Sequence, residues 1–148
     1  MKAHRSTLAA LGTTAAERRA THRVKPASGP LVDLDARTLP FAAVTTLAER
    51  LGVRPEELLA VVGIPGRTAA RRKAGRFLKP DEADRVLRVA RVVEEGARVF
   101  GGYARAGTWL RARHPLLGNE PPFALLGSDA GAKSVSDELI RIDHGDFA

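Results

Sequence analysis

The sequence predicts an all-α protein, and three observations carry that prediction. From Pro40 onward, apolar residues recur at three- and four-residue spacing, as one buried helix face requires. Aromatic residues make up only 5% of the 148-residue chain while hydrophobic residues make up 44%, so the core must be built from Leu, Val and Ala. No stretch alternates apolar and polar residues convincingly enough to read as a strand, and a sandwich or barrel would want more aromatic and β-branched residues.

Residues 1–30 stand apart from this pattern. They are rich in Ala, Thr, Arg and Ser, carry one acid, Glu17, and end in Lys25-Pro26-Ala27-Ser28-Gly29-Pro30. They read as a mobile basic tail. An Arg-rich, acid-poor tail also fits an organelle transit peptide, the less favoured reading.

The helices follow in order. Phe41, Val44, Leu47, Ala48 and Leu51 form the first stripe, and Gly52 ends it. Pro55 opens the second helix, with Glu56 and Glu57 favourable beside its positive end and Leu58, Leu59, Val61 and Val62 apolar. Gly63-Ile64-Pro65-Gly66 stops it. A short third helix is expected from Arg67 to about Phe77.

Pro80 begins the longest helix, to about Phe100, with Ala83, Val86, Leu87, Ala90, Val93, Ala97 and Phe100 as its stripe. Asp81–Arg85, Asp84–Arg88 and Glu94–Arg98 are spaced as i,i+4 ion pairs, each worth about 0.3 kcal/mol. Gly101-Gly102 ends the run. A further helix carries Tyr103, Ala106, Trp109 and Leu110. A single turn at Phe123-Ala124-Leu125-Leu126 comes next. Ser128 then caps a last helix, with Val135, Leu139 and Ile142 as its stripe and Gly145 as its stop.

Charge is unevenly placed. The chain carries +7 overall, concentrated in residues 1–25 and 67–99, while residues 100–148 are nearly neutral. A polyanion partner suits the middle of the chain but not its C-terminal third. The absence of cysteine excludes disulfides and thiolate zinc sites. No apolar run approaches the roughly 18 residues of a membrane span, and no signal-peptide core follows the first basic residues.

Enzyme signals are missing. There is no phosphate-binding glycine loop after a strand and no Ser, His and Asp group. His4, His22, His114 and His144 are dispersed, and none has metal-ligand spacing to a partner. The expectation is a protein without catalysis, metal or cofactor of its own.

Segment 41–77 reads helix, helix, tight turn, helix, the outline of a helix-turn-helix whose last helix enters the major groove. Residues 67–79 hold six cations and no acid. Thr68, Arg71, Arg72, Lys73 and Arg76 are the candidate DNA-binding residues, since Arg grips guanine edges bidentately and all the cations can pair with phosphates. Unspecific nucleic-acid contact stays open at this point, because a cationic helix is often a general phosphate binder.

Residues 41–146 together resemble the Xre/MbcA/ParS-type antitoxins that accompany RES-domain toxins. The stretch Gly63-Ile64-Pro65-Gly66-Arg67-Thr68-Ala69-Ala70-Arg71-Arg72-Lys73-Ala74-Gly75-Arg76-Phe77-Leu78 matches the Xre-type helix-turn-helix. Leu78-Lys79-Pro80-Asp81-Glu82-Ala83-Asp84-Arg85 matches the start of the long helix. Ala106-Gly107-Thr108-Trp109-Leu110, Leu117-Gly118, Pro122 to Leu126, Gly131 to Val135, Leu139 to Ile142 and Gly145 complete the ordered series. Lys79 departs from a usual capping Ser or Thr, and Gly107 interrupts its helix; both are expected to weaken helix stability locally.

Three regions are expected: a basic tail over 1–30, which lies outside the resemblance, a helix-turn-helix over 31–79, and a dimerisation and toxin-binding domain over 80–148. The resemblance implies a protein that represses its own operon by binding operator DNA and blocks a RES-domain toxin that degrades NAD. A cytoplasmic location is expected, and a homodimer is expected because the long helix 80–100 carries more Val, Leu and Ala than a thin monomeric layer needs to cover. NAD is then the toxin's substrate. Trp109 and Leu110 are expected in the core. Arg141, Asp143, His144, Gly145 and Phe147 are the candidate toxin contacts, because an exposed chain end can reach into a cleft. A stand-alone helix-turn-helix regulator without a toxin is the alternative.

Overall fold

The computed structural model describes residues 30–145. The basic tail, save Pro30, and Phe147 lie outside the described residues. Among the described residues there are seven α-helices: α1 (Ala42–Leu51), α2 (Pro55–Val61), α3 (Gly66–Gly75), α4 (Pro80–Phe100), α5 (Tyr103–Arg111), α6 (Pro122–Leu125) and α7 (Asp129–Asp143). Three 3-10 turns, Leu31–Asp33, Ala36–Thr38 and Pro115–Leu117, accompany them. Among the described residues there is no strand, only isolated bridges between Pro40 and Phe77 and between His114 and Glu120. None of the described helices is long and apolar enough to cross a membrane.

The long helix α4 is the axis of the molecule. It packs against α5, α7, α1 and both N-terminal 3-10 turns. Being covered on several sides, it buries a wider arc than one stripe: Val89 and Val92 join Ala83, Val86, Leu87, Ala90 and Val93 in the core. Ala97 and Phe100, expected to finish the stripe, are only half-buried. Each fully buried valine or leucine contributes about 1.5–3 kcal/mol.

Of the three expected i,i+4 pairs on α4, Asp81–Arg85 forms, at 3.4 Å. The others give way to tertiary partners. Arg88 reaches Asp129 at 2.7 Å and the Gly127 carbonyl at 3.2 Å. Arg98 binds Asp143 at 3.0 Å. Glu94 accepts from Arg50 at 2.8 Å and from the Tyr103 hydroxyl at 2.9 Å. Local pairs are weak enough for any well-placed tertiary partner to displace them.

The Arg50 side chain is 5% exposed and also lies over the Tyr103 ring, 4.5 Å from its centroid. Burial, reinforced by Glu94, pushes the Tyr103 phenol above its ordinary range. This charged cluster joins α1, α4 and α5.

Two glycines set how closely the C-terminal helices approach α1 and α2. A Cβ at Gly107 would lie 2.6 Å from the Leu51 carbonyl oxygen, where α5 crosses the end of α1. One at Gly127 would lie 2.6 Å from the Val61 carbonyl oxygen, at the end of α2. Gly107 therefore does more than weaken its helix. The close crossing it permits offsets a propensity cost of about 1 kcal/mol.

Candidate nucleic-acid interface

The helix-turn-helix is built from α2, the turn at 62–65 and α3. The Glu57 carboxylate accepts from the Arg54 backbone N–H at 2.8 Å and caps the start of α2. Leu58, Leu59, Val62 and Ile64 are buried and hold the turn on the core. The Ile64 N–H donates to the Leu59 carbonyl at 2.9 Å, which fixes the bend leading into α3.

Helix α3 ends at Gly75, two residues before the expected end. Arg76 takes the left-handed conformation at φ 72°. The chain then pairs with residues 39–41: the Phe41 N–H donates to the Arg76 carbonyl at 2.8 Å, and the Leu78 N–H to the Leu39 carbonyl at 3.0 Å. These bonds replace the next helical turn.

Of the ten residues of α3, only Ala69 is buried. Arg71, Lys73 and, just beyond the helix, Arg76 are exposed, and Thr68 is half-buried. Arg67 and Arg71, one helical turn apart, share the outward face with the small residues Ala70 and Ala74. Arg67 was not among the residues expected from sequence; its i,i+4 spacing from Arg71 was the available signal. Small residues between two cations let a helix backbone sit deep in a groove, with charge on both sides for phosphates.

Arg72 is placed differently. Its Nε donates to the Glu82 carboxylate at 2.8 Å, and its side chain is 16% exposed. The same Glu82 oxygen accepts from the Lys79 backbone N–H at 2.9 Å. Glu82 thereby caps α4, supplying what the Lys79 side chain, which has no acceptor, cannot. The hydrogen bond from Arg72 holds the Glu82 carboxyl below the usual carboxylate range; burial opposes the shift, and the Lys79 N–H assists it.

The C-terminal candidates gather at the end of α7. Arg141 folds back on Glu138, with contacts of 2.9 and 2.6 Å. Asp143 is tied to Arg98. His144 and Gly145 are exposed beyond the helix. The Arg141 hydrogen bond lowers the Glu138 carboxyl, with a smaller contribution from the charge of His114. Leu110 is fully buried, whereas Trp109 is half-buried and stacks between Phe100 (5.5 Å) and His114 (4.7 Å). The His114 Nε2–H donates to the Trp109 carbonyl at 2.9 Å. Sequence spacing did not reveal this aromatic stack, because its members lie on different elements.

Residues 30–91 match the antitoxin Xre-like helix-turn-helix domain. Residues 95–145 match the antitoxin Xre/MbcA/ParS C-terminal toxin-binding domain. The chain is 33% identical over 128 residues to the Antitoxin Xre of Yersinia enterocolitica serotype O:8 / biotype 1B, a match covering 83% of this chain and 86% of that protein. The chain belongs to the Xre antitoxin family. It is also 31% identical over 91 residues to the Antitoxin Xre of Photorhabdus laumondii subsp. laumondii, covering 60% of this chain and 62% of the relative. In this Xre-family antitoxin the two matched segments meet inside α4. The helix that supports the DNA-binding part runs on without a break into the toxin-binding part.

Proposed function

We propose that this antitoxin neutralises a RES-domain toxin that degrades NAD, and that it represses its own operon as a cytoplasmic homodimer on operator DNA. The observation that carries this reading is the pairing of an exposed cationic α3 with a region matching a toxin-binding domain, on one continuous helix. Arg67, Thr68, Arg71, Lys73 and Arg76 face the DNA. A symmetric dimer presents two such helices to a palindromic site. The end of α7, with Arg141, Asp143, His144 and Gly145, contacts the toxin cleft, and Phe147 is a further candidate contact by sequence. The antitoxin binds no cofactor and performs no reaction; NAD is consumed by the toxin alone.

Co-expression with the protein encoded beside this chain's gene tests the reading. A RES-domain partner should co-purify, its consumption of NAD should stop in the complex, and light scattering at micromolar concentration should give a dimer mass for the antitoxin alone. Undiminished NAD consumption in the presence of excess antitoxin would overturn the toxin assignment. Operator binding by a chain with which no toxin co-purifies from the neighbouring gene would favour a stand-alone regulator.

A further inference from the structure

We propose that Arg72 is a positioning residue: it sets the orientation of α3 through Glu82, and operator selectivity depends on that ion pair behind the reading face. This rests on the reading of α3 as the DNA-reading helix. It assigns to Arg72 a role other than the base or phosphate contact that its place in a cationic run suggests.

Three observations carry it. First, α3 has little apolar attachment, since Ala69 is its one buried residue. A ten-residue helix held at a single apolar point needs another restraint to fix its roll. Second, Arg72 lies three residues after Ala69, on the inner side of the helix, away from Arg67 and Arg71. A side chain directed at Glu82 is not directed at a groove. Third, the far end of the tie is rigid. Glu82 is 5% exposed, sits in the first turn of α4 and is fixed by its second bond, to the Lys79 N–H. The backbone bonds from Phe41 and to Leu39 hold the chain just past α3. Within the helix, its one buried side chain, Ala69, and the Arg72 ion pair bear on rotation about its axis.

Base readout is sensitive to such rotation, because a bidentate contact needs its guanidinium aligned with one base edge. Phosphate contacts tolerate it. A loosened α3 should therefore still bind DNA but no longer prefer its own site.

The test uses full-length protein, a duplex carrying the gene's own upstream region, and an unrelated duplex of equal length. Arg72→Met, Arg72→Lys, Glu82→Gln and the Arg72→Met/Glu82→Gln pair are compared with Arg71→Ala. Glu82→Gln gives the sharpest sign. Removing an acid near a polyanion should tighten binding by charge alone. The positioning role instead predicts about 10-fold weaker binding to the upstream duplex. Affinity for the unrelated duplex should not fall. Arg72→Met should show the same loss of preference for the upstream duplex, and the pair should lose no more of that preference than either single variant, because both break one interaction. Arg72→Lys keeps the charge but not the Nε bond, and should also lose selectivity.

The ratio of the two affinities is the decisive readout, since partial unfolding lowers both alike. Arg72→Met weakening both duplexes equally, with a salt slope smaller by about one, would make Arg72 a phosphate contact. Tighter or unchanged upstream binding in Glu82→Gln would also overturn the proposal. If the unsubstituted chain shows no preference for the upstream duplex, the DNA reading itself fails. That result is distinct from a selective parent whose variants stay selective. Should Arg72→Met not fold, Glu82→Gln and Arg72→Lys still decide the question.

Discussion

Helices α3 and α7 lie in the two matched halves and are attached in opposite ways. The ten-residue α3 buries one alanine and is held by an ion pair and flanking backbone bonds. The fifteen-residue α7 buries Ala132, Val135 and Leu139 against the common core and adds Arg88–Asp129 and Arg98–Asp143 to α4. The first can be altered without disturbing the core. The second cannot, until its last turn. A DNA-reading helix must present most of its circumference to the groove, so it has little left to bury. A helix whose exposed end makes the contact can commit its whole inner face to packing.

The largest effect should come from the buried side of α7. Leu139→Ala removes a fully buried side chain and should cost about 2–5 kcal/mol. Because the core is shared, denaturant melts followed by helicity and by Trp109 fluorescence should fall together. Separate transitions would break the comparison, by showing that the halves fold independently.

Ending the chain before Ile142 is the next step down. It removes a half-buried isoleucine and the partner of Arg98 but keeps Val135 and Leu139. Toxin co-purification should be lost while binding to the upstream duplex persists. Full-strength toxin binding by the shortened chain would place the contact elsewhere on the C-terminal half.

On α3 the effects should be smaller and confined to DNA. Arg71→Ala should lose about 1–3 kcal/mol on the operator if Arg71 reads a base, with stability unchanged in a denaturant melt. Arg76→Gly relieves a left-handed backbone at φ 72° but also removes a side-chain interaction, so stability in a denaturant melt should change by less than the roughly 1 kcal/mol of that strain. The same change should weaken DNA binding.

The smallest effect is the pH response. Glu82 and Glu138 are held below the ordinary carboxylate value of 4.5 by Arg72 and Arg141. Their contribution is complete above that value and is lost as pH falls through the lowered folded-state values. Glu82→Gln should therefore flatten the acid limb of a stability profile measured below pH 4.5. It should leave the profile near neutrality parallel to that of the parent chain.

The helices were legible because periodicity and punctuation agree. Pro55, Pro80, Ser128, Gly52 and Gly101 mark ends that the structure keeps. The family was legible from the order of short elements, none decisive alone. What could not be read is mostly tertiary. The partners of Arg88, Glu94 and Arg98 lie 41, 44 and 45 positions away, so local spacing favoured the wrong neighbours. Arg72 looked like its cationic neighbours because composition does not reveal which side of a helix meets an acid. Gly107 looked like a defect because the carbonyl it accommodates belongs to another helix.

The unbroken α4 also bears on how such a protein can be taken apart. Val89, Ala90 and Val93, near its middle, are at most 1% exposed. A break there would open the common interior to water and leave neither half with a complete set of packing partners. Lifetime is therefore a joint property of both binding activities. Under the proposed function, turnover of one molecule would vacate the promoter and unmask the toxin in the same event, with no separate signal to keep the two in step.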